Sequence, residues 1–205
     1  PTLAELFLHG ELGYLSWEKI ILKLKNIYDE IYLSSSKCFE IDSGEFYAKK
    51  LKARKLKLEK LIMNNKFYIL KKILSEKYIV NGLEFPPLLE TYDELYKKLI
   101  SKYPSKLSGY FGHGDLCFNN ILIDPYSFTI KLIDPKAASN SEPDKLGFVP
   151  PLYDIAKLNH SFIGLYDSII SNMYSLKNYN NSYQLNIYRP TLYSYISKKF
   201  IKVFL

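Results

Sequence analysis

Asp115, Asn120 and Asp134 are the residues whose types and spacing could do chemistry together. The amide stands five residues after the first carboxylate, and the second carboxylate nineteen residues after it. Between Asn120 and Asp134 the sequence reads as a β-hairpin. Asn120-Ile121-Leu122-Ile123 is a short apolar strand. Asp124-Pro125-Tyr126-Ser127 has turn chemistry, with Pro fixing φ and Asp able to bond its own backbone. Phe128-Thr129-Ile130-Lys131-Leu132-Ile133 alternates as a return strand rich in β-formers. Such a hairpin sets Asn120 and Asp134 side by side. Two oxygen ligands at one end of a hairpin suit Mg²⁺, a hard cation that keeps most of its waters and takes one or two protein ligands plus substrate phosphates. Asp115 lies on the loop just ahead of that pair. A carboxylate there can accept a proton from an attacking hydroxyl and orient it toward a metal-bound phosphoryl group. A plainer reading makes these ordinary loop and turn residues, and the order of the features around them weighs against it.

That order is His113-Gly114-Asp115 with Asn120, an apolar strand and hairpin, Ile133-Asp134-Pro135, and then Tyr153-Asp154-Ile155-Ala156-Lys157-Leu158. The combination closely resembles the aminoglycoside phosphotransferase and choline kinase-like family, small-molecule kinases with a protein-kinase-like fold. The resemblance implies transfer of the γ-phosphoryl group of ATP to a hydroxyl of a small molecule. It assigns Asp115 as the base, and Asn120 and Asp134 as ligands of Mg²⁺. Asp154 would hold the catalytic loop by accepting its backbone N–H groups, which is also the general expectation for a buried acid. His113 would buttress the same loop rather than act as a base. Choline, an amino alcohol, a sugar or a surface-polysaccharide precursor fits as acceptor. A cationic aminoglycoside fits less well, because the chain is basic and no acidic cluster lies near the motif beyond Glu142 and Asp144.

The elements that must position these residues read as mostly helical, so the expected class is α+β: a protein-kinase-like C-terminal lobe with a small catalytic hairpin. Residues 1–105 read as helical, 109–136 as catalytic loop and metal-binding hairpin, and 151–205 as C-terminal helices. Thr2-Leu3-Ala4-Glu5 is a capping box that opens the first helix. Residues 16–33 carry Trp17, Ile20, Ile21, Leu24, Ile27, Tyr28 and Ile31 at helical spacing, and Trp17 reads as core. Residues 34–44 read as a linker, and a lysine-rich helix follows from Glu45 to about Met63. Asn81-Gly82 and Pro86-Pro87 mark loops, and Thr91-Tyr92-Asp93-Glu94 reads as a second capping box. The polar stretch after Pro135, with Glu142, Asp144 and Lys145, corresponds to a kinase activation segment and reads either as acceptor pocket or as surface loop. Pro151 suits the first turn of a helix in which His160 reads as a core residue. Residues 178–186 read as a loop before a last helix that starts near Pro190. A complete kinase-like enzyme also needs an N-terminal lobe with a strand-borne Lys and a loop over the phosphates. The expectation is that this lobe is absent here, being part of the same parent chain, carried on another chain, or lost, and that the chain is incomplete as an enzyme without it.

Composition narrows the alternatives. Apolar residues make up 47% of the 205, enough for a sizeable core. Lys and Arg number 28 against 21 Asp and Glu, a net +7 that favours anionic partners such as a nucleoside triphosphate. The lysines between 49 and 60 could form an anion-binding face, but no aromatic residues interleave them to stack bases, so they read as a solvated helix face and nucleic acid as an unlikely partner. Cys38 and Cys117 lie far apart and read as free thiols. No long apolar run or basic leader occurs, so the expected location is cytoplasmic, with no membrane span. The rival to a kinase is a non-catalytic remnant or regulatory binding module of the same fold. Retention of Asp115, Asn120 and Asp134 argues against decay.

Overall fold

The computed structural model describes every residue except 11, 36, 64–66, 103, 137–146 and 181. The fold is α+β and mostly helical, as the hydrophobic spacing predicts. Contacts divide the chain into two units. The first holds Pro1–Phe39, Ser108–Tyr174 and Ile187–Leu205, and the second holds Glu40–Leu107 and Ser175–Asn186. All residues singled out for chemistry belong to the first.

In the first unit, helix α1 (Leu3–His9) opens on the expected capping box: the Glu5 amide donates to Thr2 Oγ1 at 3.2 Å, and the Thr2 amide donates to Glu5 Oε2 at 2.8 Å. Helix α2 (Tyr14–Leu33) buries Trp17, Ile20, Ile21, Leu24, Tyr28 and Tyr32, so Trp17 is core. Helices α6 (Pro151–Phe162), α7 (Tyr166–Ile170) and α8 (Tyr193–Phe204) complete the helical part, with Pro151 in the first turn of α6. Strands β5 (Ile121–Ile123) and β6 (Ile130–Leu132) form the antiparallel hairpin, with Ile121 opposite Leu132 and Ile123 opposite Ile130. Asp124 organises the turn: its Oδ1 accepts from the Tyr126 amide at 3.0 Å and its Oδ2 from the Ser127 hydroxyl at 2.7 Å. The return strand starts later than the alternation suggests, because Phe128 sits at φ +57° inside the turn.

A run of aromatic rings ties these elements together. Phe118, on a short 3-10 turn (Phe118–Asn120), meets Phe7 of α1 at 5.2 Å and Phe162 of α6 at 4.6 Å, both edge-on. Phe162 stacks on Phe200 of α8 at 4.5 Å. Offset and edge-to-face pairs of this kind add to the large area that each ring buries. Phe118 is fully buried and lies between Asp115 and Asn120 in sequence, so the core holds the candidate loop from its middle.

The second unit corrects several expectations. Residues 34–44 are not all linker: β1 (Cys38–Asp42) begins there, in the first unit, and ends in the second. Strand β4 (Lys106–Phe111) likewise begins in the second unit and ends in the first, where it pairs with β7 (Phe148–Val149). Residues 1–105 therefore are not purely helical. Asn81-Gly82 is the turn of a tight hairpin between β2 (Tyr78–Val80) and β3 (Leu83–Phe85). Both turn residues have positive φ, +51° and +82°, which matches the twist of the flanking strands. Within 178–186, Asn178 and Tyr179 end strand β8 (Tyr174–Tyr179), and Ser182 to Asn186 belong to strand β9 (Ser182–Ile187), in a sheet of order β3–β2–β9–β8, where the polar composition suggests a loop.

The lysine-rich helix α3 (Lys49–Ile62) follows a π-helical turn (Gly44–Ala48) and buries none of its residues. The unit also holds α4 (Tyr68–Ser75) and α5 (Leu88–Lys102). Thr91 is not a cap: α5 begins three residues earlier, and the Thr91 hydroxyl donates back to the Pro87 carbonyl. The stretch with Glu142, Asp144 and Lys145 lies outside the described residues. Among the described residues, no helix is long and apolar enough to cross a membrane.

Replacing Phe118 by Ala removes the ring that joins α1 to α6. The expected cost is about 3–5 kcal/mol, read as a lower midpoint in urea unfolding; a shift under 1 kcal/mol would mean that the loop is not anchored through this ring.

Candidate functional site

The loop His113–Asn120 is built around one buried carboxylate. Asp154, one turn into α6, is 1% exposed. Its Oδ2 accepts from the His113 amide at 2.8 Å and the Tyr32 hydroxyl at 2.6 Å, and its Oδ1 accepts from the Gly114 amide at 2.9 Å. Burial pushes the Asp154 carboxyl above its ordinary range, and the Tyr32 hydroxyl and the two amides offset only part of that rise. Gly114 is required where it stands. Its φ is +76°, and a Cβ there would run into the Lys136 carbonyl oxygen. The Lys136 amide in turn donates to the His113 carbonyl at 2.9 Å, which ties the exit of β6 to the loop.

His113 is buried, and its ring is held at both nitrogens. Nε2 lies 2.9 Å from the Ile133 carbonyl and Nδ1 lies 3.3 Å from the Asp115 amide. A carbonyl can only accept and an amide can only donate, so the proton belongs on Nε2. The ring thus braces the loop against β6, with both nitrogens engaged.

Asp115, 8% exposed, comes next. Its Oδ1 is 2.9 Å from the Lys157 ammonium, and its Oδ2 pairs with Lys136. Burial works to raise the Asp115 carboxyl, but the hydrogen bonds from Lys136 and Lys157 outweigh it and hold the group below the ordinary carboxylate range. Lys136 is raised by the same bond, against a smaller effect of burial. The Cys117 thiol is pushed up by burial, then by the Asp115 charge, so it stays a thiol at neutral pH.

Asn120 closes the loop. Its Nδ2 donates to the Asp115 carbonyl at 2.9 Å, and its own carbonyl accepts from the Ile133 amide at 3.0 Å. The second bond extends the hairpin ladder by one pair and puts Asn120 next to the strand end that carries Asp134. Asp134 is exposed and has φ +53°, a left-handed conformation that Asp tolerates better than most residues.

Asp115, Asn120, His113 and Asp154 are therefore joined through hydrogen bonds, whereas Asp134 is brought alongside by backbone pairing. With its Nδ2 committed to a carbonyl, Asn120 has Oδ1 left as a donor atom for a metal, and the exposed Asp134 carboxylate supplies a second hard oxygen. That set fits Mg²⁺, which needs few protein ligands. Among the described residues no group of three His, Cys, Asp or Glu side chains is arranged to hold a metal, so a softer or fully protein-caged ion fits less well.

The chain matches no protein-family model and no curated protein.

Sequence reasoning missed Tyr32, Lys136 and Lys157. Lys157 had a signal: it lies three residues after Asp154, on the same helix face. Tyr32 had none, since 122 residues separate it from Asp154. The core role expected of His160 does not hold, because the residue is exposed at the end of α6, with its ring 6.3 Å from that of Tyr166.

Asp154→Ala leaves two loop amides and the Tyr32 hydroxyl without their acceptor. The expected loss is about 3 kcal/mol or more, against about 1 kcal/mol for Tyr32→Phe, both read from urea unfolding. Equal small losses would show that the loop does not depend on this carboxylate.

Proposed function

We propose that the protein is a phosphotransferase of the aminoglycoside phosphotransferase and choline kinase-like kind, which moves the γ-phosphoryl group of ATP to a hydroxyl of a small molecule. The observation that carries this reading is the joining of Asp115, Asn120 and the Asp134 strand end on one loop and hairpin, with Asp154 holding the loop amides. Asp115 accepts the hydroxyl proton and orients the oxygen for in-line attack. Asn120 and Asp134 hold Mg²⁺, which when bound neutralises charge on the phosphates. His113 and Asp154 keep Asp115 in place, so that positioning contributes much of the rate. The acceptor is a sugar, an amino alcohol or a surface-polysaccharide precursor.

A second reading, a non-catalytic kinase-like binding module, draws on one observation: both oxygens of Asp115 are already engaged by lysines.

The deciding experiment measures Mg²⁺-dependent ATP consumption by the full-length protein across a panel of sugars and amino alcohols. Acceptor-dependent consumption should fall at least about 10²-fold in Asp115→Asn with folding intact. Wild-type rates in that variant would remove Asp115 as the base, and no consumption with any acceptor would favour the binding module. Asp134→Ala should weaken Mg²⁺-dependent nucleotide binding in calorimetry, and unchanged binding would reject its role as a metal ligand.

A further inference from the structure

Two lysines meet Asp115, and they are not equivalent. Lys136 follows the end of β6, and its side chain is 63% exposed. Lys157 rises from α6 with a side chain only 20% exposed, and its ammonium lies 5.8 Å from the centre of the Tyr153 ring. The helix that fixes Asp154 also fixes Lys157, so one rigid element sets both the loop and the cation beside it.

We propose that Lys157 is a catalytic residue whose ammonium contacts the phosphoryl group in transfer while it stays bonded to Asp115. This rests on the phosphotransferase reading above. The geometry is restrictive. An acceptor hydroxyl must come within about 2.6–3.2 Å of the Asp115 carboxylate to give up its proton. Lys157 already holds Oδ1 at 2.9 Å, so the hydroxyl takes Oδ2, the oxygen that the exposed Lys136 covers in the free protein. The attacking oxygen then lies within one side chain's reach of the Lys157 ammonium, and so do the oxygens of the phosphoryl group it attacks.

In the step itself, the acceptor oxygen forms the new bond to phosphorus. The bond from phosphorus to the β–γ bridging oxygen breaks, and its electron pair leaves on the nucleoside diphosphate. The hydroxyl proton passes to Asp115. Lys157 keeps its three protons throughout and acts as a fixed positive charge where negative charge is shared among the transferring oxygens. A lysine suits this task as a compact point charge with three donors, of which Asp115 uses one.

The test compares wild type, Lys157→Met and Lys157→Arg in the full-length protein. Steady-state kinetics are paired with mass-spectrometric mapping of lysine reductive methylation, with and without Mg²⁺ and the non-hydrolysable analogue AMP-PNP. Lys157→Met should lower kcat about 10²–10³-fold, the usual loss on removing one preorganised donor, with KM for ATP changed far less. Lys157→Arg should recover part of the loss, because charge and donors remain; a purely structural role would instead show as an altered melting temperature with kcat preserved. In wild type, AMP-PNP with Mg²⁺ should protect Lys157 from methylation. A kcat for Lys157→Met within about threefold of wild type, or absence of protection in an enzyme that turns over, overturns the proposal and leaves the phosphotransferase reading standing. Protection without turnover for any acceptor supports the phosphate contact and counts against phosphotransfer. Neither protection nor turnover overturns both.

Discussion

The Asp154 carboxylate is the constraint on which the candidate site depends. It is buried, and it accepts hydrogen bonds from three donors that come from distant parts of the sequence. A buried charge is tolerated only when its lone pairs are used, and removing its partners or the charge itself leaves uncompensated groups behind. The loop therefore takes its conformation from where α6 places Asp154 and α2 places Tyr32. Gly114 follows from the same constraint, since drawing two successive amides onto one carboxylate turns the backbone into a region where a side chain would strike the next segment.

Electrostatics adds a second layer. Asp115 is also buried, though less deeply than Asp154, and its side chain is satisfied by cations rather than by amides. The difference matters chemically. Amides fix a carboxylate's position for good, whereas an exposed lysine can yield its oxygen to another partner. Lys136 occupies the more open side of Asp115 and Lys157 the more enclosed side, so the two oxygens of one carboxylate are unequal in how readily they exchange partners.

Much of this was legible in the sequence where the signals are local. The Thr2–Glu5 box, the apolar stripe of α2, the Asp124 turn and the entry of α6 at Pro151 rest on residues a few positions apart, and each stands near where its spacing puts it. The juxtaposition of Asn120 with the Asp134 strand end was readable because a hairpin is a local object. Pairings over long sequence distance were not readable. Strand β2 pairs with β9 about a hundred residues away, and the Asn81 side chain bonds both the amide and the carbonyl of Leu185. The Asn-Gly pair was visible as a turn, but three-residue strands on either side carry too little alternation to be seen as sheet. The polar composition of 178–186 suggests a loop, yet Tyr183 is buried and the neighbouring strand uses the backbone rather than the side chains. Lys157 was passed over because a lysine on a helix is ordinarily solvated, and only the fold turns it toward a carboxylate.

The two residues ahead of α1 have a part in the hairpin beyond opening a helix. The Ile123 amide donates to the Pro1 carbonyl at 3.1 Å, and Thr2 bridges Leu122 in antiparallel fashion. A two-stranded ribbon has little stability by itself in water, and an open strand edge is a template for pairing with other chains. Pro1 and Thr2 cover the side of β5 that faces away from β6, and so act as a short third strand. Without these two residues that edge of β5 would be bare and open to pairing with another chain.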